Sequence, residues 1–460
     1  MTLKQITGGE YRLGDAGQWQ ASSHFAGLNS ATVYSFYVRL AETDTLEASP
    51  AIPETTVTTD PRPSRPSRPS RSSYQADVKS NESLGLTIPV EVDANAGSAS
   101  ADVGAGLLTE AGTSLSMPAI SDVGKYLVSI PVPDLSTEEG TGTLTIETET
   151  GSITVPSNML TGLEGMDGIK AQITIGAGDK EALPEDVRQE IGDRPLLQLS
   201  LSIDGRQTEW NNPNVPATLS IPYTPTEEEL ENPDAIVVWY IDGAGNVFAV
   251  PDGRYDEATG MVTFRTTHFS HFGVAFNDVT FGDVPESEWY EGAVNYIAAR
   301  DITKGTGQGN FSPMTKLTRG EFIVLLMKAY EMQADADPEN NFDDAGDTWY
   351  TGYLAAAKRL GLAEGVGDNR FAPEKAISRQ EMFTLVYSTL TKINRLPKGD
   401  IGKTAEDFAD GASVAPWARD ALDALISSGT VEGAGGKLKP SDTATRAEMA
   451  QMLHNLLICL

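Results

Sequence analysis

One short string recurs three times in the last third of the chain, and it constrains the fold more than any other feature. It reads Leu317-Thr318-Arg319-Gly320-Glu321, then Ile377-Ser378-Arg379-Gln380-Glu381, then Ala444-Thr445-Arg446-Ala447-Glu448, with the arginines 60 and 67 residues apart. A hydroxyl residue followed three positions later by Glu, just ahead of an apolar run, is a capping box. The hydroxyl covers the third amide of the helix, and the Glu reaches back to the capping residue's own amide. The pattern predicts a helix starting at each string, with Arg at the first helical position. A cation there is opposed by the helix dipole, by about 0.3–1 kcal/mol. Three cations in one register therefore point to a role. Two readings fit: a guanidinium and a helix N-terminus together form an anion site, or each Arg is a structural partner of a nearby carboxylate.

The strings belong to longer units. The first opens with Phe281-Gly282-Asp283-Val284-Pro285 and Trp289-Tyr290. Ala293, Val294, Ile297 and Ala298 follow at the spacing of one helical face. Gly305-Thr306-Gly307 breaks that helix, and Phe311-Ser312-Pro313 is a short extended piece. The second unit repeats this order with Phe342, Asp344, Trp349-Tyr350, Gly365-Val366-Gly367 and Phe371-Ala372-Pro373. The third does so with Phe408, Asp410, Trp417, Gly433-Ala434-Gly435 and Leu438-Lys439-Pro440. In every copy the Pro stands six residues before the Arg, so the loop length is held by geometry. The third copy departs twice: Ala418 replaces the Tyr that follows Trp, and Leu438 replaces the Phe of Phe-x-Pro. The second carries Ser378 and Gln380 where Thr and a small residue stand elsewhere.

These units resemble S-layer homology repeats, over about residues 278–458. The resemblance implies an all-α, pseudo-threefold domain in which one helix of each repeat joins a central bundle, with grooves between the lobes. It also implies non-covalent anchoring to the peptidoglycan-associated wall, by binding pyruvylated secondary cell-wall polysaccharide and notably its pyruvylated N-acetylmannosamine end. The expected ligand-binding residues are Arg319, Arg379 and Arg446, bidentate donors to the ketal carboxylate. Trp289, Trp349 and Trp417 either offer a flat face to the sugar or fill the core. Gly307, Gly367 and Gly435 would let backbone amides approach the ligand. Asp283, Asp344 and Asp410 would cap or orient. The departures in repeat three suggest a weaker or non-binding groove. The acidic insert 335–341 lacks the spacing of an EF-hand and reads as a solvated linker.

Ahead of the repeats the chain reads as β-structure, making a multidomain protein with a β-sandwich-like N-terminal and middle region. Residues 1–59 alternate apolar and polar around Tyr34, Phe36, Val38 and Leu40, the period of a half-buried strand. They resemble the later half of a fibronectin type III or Ig-like repeat, with Tyr34 in the tyrosine-corner position. Half a sandwich leaves an open face, so the chain is expected to be the C-terminal piece of a longer exported protein. The start lacks the apolar region of a signal peptide. Residues 60–74 form a Pro/Ser/Arg linker, read as a stiff spacer or as a contact to anionic wall polymer. Residues 75–195 are expected as one β-rich domain and 196–277 as a second β-rich module before the anchor. The repeats are bounded at 278–334, 335–397 and 398–460.

Composition narrows the partners. The net charge is −31 over 460 residues, which argues against nucleic acid, since phosphate binding needs a basic surface. No apolar run is long enough to span a membrane. The only cysteine is Cys459, so no intrachain disulfide framework exists. The expected place is the cell surface, in the wall or S-layer. No catalytic signature, metal set or cofactor motif is found. His268-x-x-His271 has no third ligand near it in sequence and, on a strand, would point to opposite faces. Enzymatic activity in 75–277 stays open, as do an adhesin or scaffold role and, lower, a wall-anchored glycan hydrolase.

Overall fold

The computed structural model describes residues 6–7, 9–14, 17–25, 33–41, 48, 52–58, 74–80 and 83–458. It separates into two units, 1–74 and 75–460. In the first, strands Gly9–Leu13, Val33–Leu40 and Ile52–Thr58 form an antiparallel sheet in sequence order. Tyr11, Phe25 and Phe36 make its small core. The Arg12 and Arg39 guanidiniums lie 4.7 and 4.4 Å from the Trp19 ring. The Tyr34 side chain, residues 60–73 of the 60–74 linker and Cys459 lie outside the described residues.

The second unit begins as a long sandwich. Strand Ser83–Asp93 pairs with Gln75–Ser80 through its first half and with Ser98–Asp102 through its second, so it passes between the two layers. Each layer then grows by mostly antiparallel neighbours. Thr143–Thr148, Gly151–Pro156, Ala217–Pro222 and Met261–Thr266 extend one. Lys125–Pro131, Lys170–Ala177, Leu196–Ile203, His271–Phe276 and Ile236–Ile241 extend the other. Alternation drives the stacking: Ile173, Leu199 and Leu201 face inward while their neighbours are half-exposed. One apolar core runs from Ala76 to Val274. The boundary expected at 195/196 falls inside this network, because strands on either side of it pair with one another. Two short helices, α1 (Glu185–Ile191) and α2 (Glu227–Glu231), sit on its connections.

The repeats follow as six helices: α3 (Glu291–Ala299), α4 (Arg319–Ala329), α5 (Thr351–Arg359), α6 (Arg379–Lys392), α7 (Arg419–Ser427) and α8 (Arg446–Ile458). α4 packs against both α6 and α8, and Phe322, Leu326, Met382, Val386, Met449 and Leu453 are sealed in one core. The expectation of a purely all-α domain is corrected here. The segments just before α4, α6 and α8 are extended and bridge one another. Leu317 N donates to the Ala444 carbonyl (3.0 Å), Ile377 N to Leu317 (2.9 Å) and Ala444 N to Ile377 (2.9 Å). This closed ring of three hydrogen bonds satisfies backbone groups that helices alone would leave buried and unpaired.

The sandwich and the helices meet at Arg300. Its side chain is fully buried, with Nε and Nη2 donating to the Gly253 carbonyl (3.2 and 2.7 Å) and Nη1 to those of Asp234 and Tyr296 (2.8 and 3.2 Å). Its guanidinium carbon lies 3.4 Å from the Tyr296 ring centroid. Among the described residues, no helix is long and apolar enough to cross a membrane.

Candidate functional site

Each capped helix begins inside a junction with the following repeat. In the first, the Arg319 and Gly320 amides donate to the carbonyls of Lys375 and Pro373 (3.0 and 2.8 Å). Thr318 Oγ1 takes the Glu321 amide, and Glu321 returns to the Thr318 amide. The same wiring recurs with Arg379 and Gln380 on Asp442 and Pro440, and with Arg446 and Ala447 on Thr315 and Pro313. Repeat one thus holds two, two holds three, and three holds one. The fixed Pro-to-Arg spacing is explained, because that Pro carbonyl receives the second helical amide of the preceding repeat. It also corrects one part of the anion-site expectation. The first-turn amides are consumed by protein carbonyls and caps, so none is left for a ligand.

The arginines are buried, at 5, 9 and 4 % exposure for Arg319, Arg379 and Arg446. Each Nε donates to a carbonyl of the next repeat: Phe371 (2.9 Å), Leu438 (2.8 Å) and Phe311 (2.8 Å). Each Nη1 lies near the capping glutamate of the repeat ahead, Glu381 at 3.5 Å, Glu448 at 2.6 Å and Glu321 at 3.7 Å. So the glutamate uses Oε2 for its own helix cap and Oε1 for a neighbour's Arg. Arg319 and Arg446 also cover the rings of Phe371 and Phe311, at 4.7 and 4.8 Å. Burial pulls both guanidiniums down in pKa, opposed by Glu381 and Asp344 for one and by Glu321 and Asp283 for the other. Each Nη2 makes no hydrogen bond among the described residues, yet none of the three is fully buried.

The other expected residues are arranged around these junctions. Trp289, Trp349 and Trp417 are exposed by 58, 63 and 57 %, while Tyr290 and Tyr350 beside them are buried and meet the indoles edge-on at 5.2 and 5.4 Å. Tyr350 lies against Gly320, which brings Trp349 within one residue of the first helix start. The aspartates hold backbone. Asp283 accepts from the Phe311 and Ser312 amides, Asp344 from Phe371 and Ala372, and Asp410 from Leu438 and Lys439, all at 2.7–2.9 Å. Burial raises the Asp344 and Asp410 carboxyls, but these amide donors outweigh it and leave both below the ordinary range. Gly307, Gly367 and Gly435 adopt φ of +99°, +103° and +58° with open space where a side chain would go. Gly305, Gly365 and Gly433 are the constrained ones: a Cβ there would strike a carbonyl and a phenylalanine ring. In the sequence they read only as part of a helix break.

Two further features lie elsewhere. His268 packs edge-on against Tyr240 at 4.5 Å, and an open pocket lined by Lys79, Gly112 and Thr145 sits in the sandwich.

The geometry defines a closed three-repeat module whose arginine-bearing helix starts each insert into the next repeat. The S-layer homology domain model matches at 280–323, 341–383 and 407–450, so this chain carries three S-layer homology domains in its C-terminal part. Among curated relatives, S-layer protein EA1 of Bacillus anthracis is 31 % identical over 183 residues, covering 39 % of this chain and 20 % of that protein. S-layer protein sap of the same organism is 32 % identical over 183 residues, 39 % of this chain and 21 % of its own length. An amylopullulanase of Thermoanaerobacterium thermosulfurigenes is 28 % identical over 247 residues, 53 % of this chain and 13 % of the enzyme. The chain thus spans about a fifth or less of these relatives. The domains and the S-layer relatives support cell-wall anchoring and a place at the cell surface.

Proposed function

We propose that the repeats fix this protein to the bacterial wall by binding pyruvylated secondary cell-wall polysaccharide at the junctions between repeats. The observation that carries the reading is a buried guanidinium at each junction whose Nη2 makes no hydrogen bond among the described residues, with the exposed Trp349 adjoining Tyr350, which lies against Gly320 at the first. A pyruvate ketal is a carboxylate on a sugar ring. That Nη2 would take the carboxylate as a charge-assisted hydrogen bond, and an indole would cover the apolar face of the ring. The arginine is pre-oriented by its carbonyl, its glutamate and, for Arg319 and Arg446, a phenylalanine ring, so little side-chain entropy is lost on binding. The peptidoglycan-associated wall is the setting, and the β-region would be the part displayed from it as a surface, S-layer, adhesin or scaffold portion. The amylopullulanase similarity keeps a wall-anchored enzyme as the alternative.

The test is co-sedimentation of the purified chain with wall sacculi, before and after mild acid removes the ketal pyruvate. Binding lost with the pyruvate is the expected result. Undiminished binding to pyruvate-free sacculi overturns the anion mechanism.

A further inference from the structure

The two ends of the helical bundle differ in what they touch. α4, α6 and α8 start together, at the ring of hydrogen bonds that joins Leu317, Ile377 and Ala444. Their far ends meet the sandwich. Arg254 Nη1 donates to the carbonyl of Ile458, the last residue of α8. Asp252 and Arg265 of the sandwich are charged neighbours of both Glu331, just past α4, and Arg395, just past α6. Arg300, just past α3, bonds to the Gly253 and Asp234 carbonyls, and Asn277 Nδ2 donates to the Ala299 carbonyl at 2.7 Å. Four arginines thus gather at the end where helix C-termini carry partial negative charge. The tryptophans fall at the other end. Trp349 adjoins Tyr350, which lies against Gly320 at the start of α4. Trp417 is two residues from Ala415, whose amide donates at 3.0 Å to Gln380 Oε1 at the start of α6. Trp289 precedes α3, which runs from there to Arg300.

We propose that the wall polymer covers the end of the bundle that carries the helix starts, and that the sandwich is fixed on the opposite end, directed away from the wall. This rests on the wall-polymer reading above and adds which surface of the molecule meets the wall. The first physical reason is distance. α4, α6 and α8 have 11, 14 and 13 residues, so their starts stand about 16–21 Å from the ends on the sandwich. The second is charge. Residues 75–277 hold 31 acidic and 9 basic side chains, a net −22 of the chain's −31, whereas 278–460 hold 27 and 18. A polymer bearing carboxylates is repelled by the sandwich. At physiological salt that repulsion is screened over about 8 Å, so it is weak at the helix starts. The buried Arg300 ties carbonyls of the sandwich to one of α3, which keeps the sandwich from folding back over the junctions.

The experiment is labelling of single cysteines by N-ethylmaleimide, on the whole chain carrying Cys459→Ser, free and bound to wall sacculi. Met314 and Ser441 follow Pro313 and Pro440, whose carbonyls take the second amides of α8 and α6, so both stand at the helix starts. Ile169 stands on the sandwich. All three are exposed, so the variants Met314→Cys, Ser441→Cys and Ile169→Cys report on access rather than folding. With about nine-tenths of the chain bound, labelling at Met314→Cys or Ser441→Cys is expected to slow about tenfold, and labelling at Ile169→Cys to keep its rate. Slowing at Ile169→Cys as large as at the helix starts, or no slowing at either helix-start position in a chain that still sediments, overturns the orientation. Sacculi stripped of ketal pyruvate separate the two claims. Undiminished binding there, with the helix-start cysteines still shielded, overturns the anion mechanism and leaves the orientation standing. A chain that does not sediment with untreated sacculi overturns both.

Discussion

At the residue scale, the Phe-x-Pro loops carry a shared backbone strain. Their middle residues, Ser312, Ala372 and Lys439, have φ of +61°, +58° and +51°, a region that costs an L-residue about 1–2 kcal/mol. Each is held there by an aspartate that takes its amide and the one before it. Ala372 has no side-chain compensation of its own. Ala372→Gly is therefore expected to raise stability by about 0.5–1 kcal/mol, the relief of strain less the added freedom of the unfolded chain. Chemical denaturation measures this, and a destabilised variant would show that the conformation is not strained.

At the scale of the element, one glutamate serves two repeats. Glu381 caps α6 through the Ser378 amide (2.8 Å), pairs with Lys375 (2.9 Å) and meets Arg319 of the preceding repeat (3.5 Å). Burial alone would raise its pKa, but the Ser378 amide, Lys375 and the Ser378 hydroxyl together hold it below the ordinary value. Its stabilising share is present above the unfolded value and fades as pH falls through the folded one. Glutamine can still cap, so the two substitutions separate the roles. Glu381→Gln is expected to cost about 1 kcal/mol, and Glu381→Ala about 2–3 kcal/mol, because the cap is lost as well. Equal losses in urea unfolding would mean that the ion pairs carry everything.

For the whole molecule, the weight falls on the junction between sandwich and helices, where Arg300 ties three carbonyls together. Glu331, just beyond α4, belongs to the same region, with Asp252, Arg265 and Tyr240 of the sandwich and Arg395 beyond α6 as its charged or titratable neighbours. Burial, reinforced by Asp252, lifts its carboxyl from 4.5 to about 8 against the pull of Arg395 and Arg265. The folded state keeps a proton that the unfolded chain releases. The contribution of this group is therefore full below pH 4.5 and declines as pH rises towards 8. Glu331→Gln mimics the protonated form. Its melting temperature should match the parent's in acid and exceed it progressively up to pH 8; a gap that stays constant across that range would assign the effect to something other than this proton.

What could be read from the sequence was local. The capping boxes at Thr318, Ser378 and Thr445 span three residues, so each helix start is encoded within its own string. The repeats, their glycine breaks and the alternation of the strands were legible for the same reason, since each depends on neighbours a few positions apart. The tertiary structure decided what those strings touch. The Nε bonds of Arg319, Arg379 and Arg446 join residues 52, 59 and 135 positions apart, and the last closes the ring by bringing repeat three back to repeat one. The ring of extended segments that broke the all-α expectation, the second duty of the capping glutamates and the meeting of Gln380 with Ala415 all arise from that closure. A contact between residues so far apart leaves no periodic trace in either segment, because its partner is chosen by how the repeats pack.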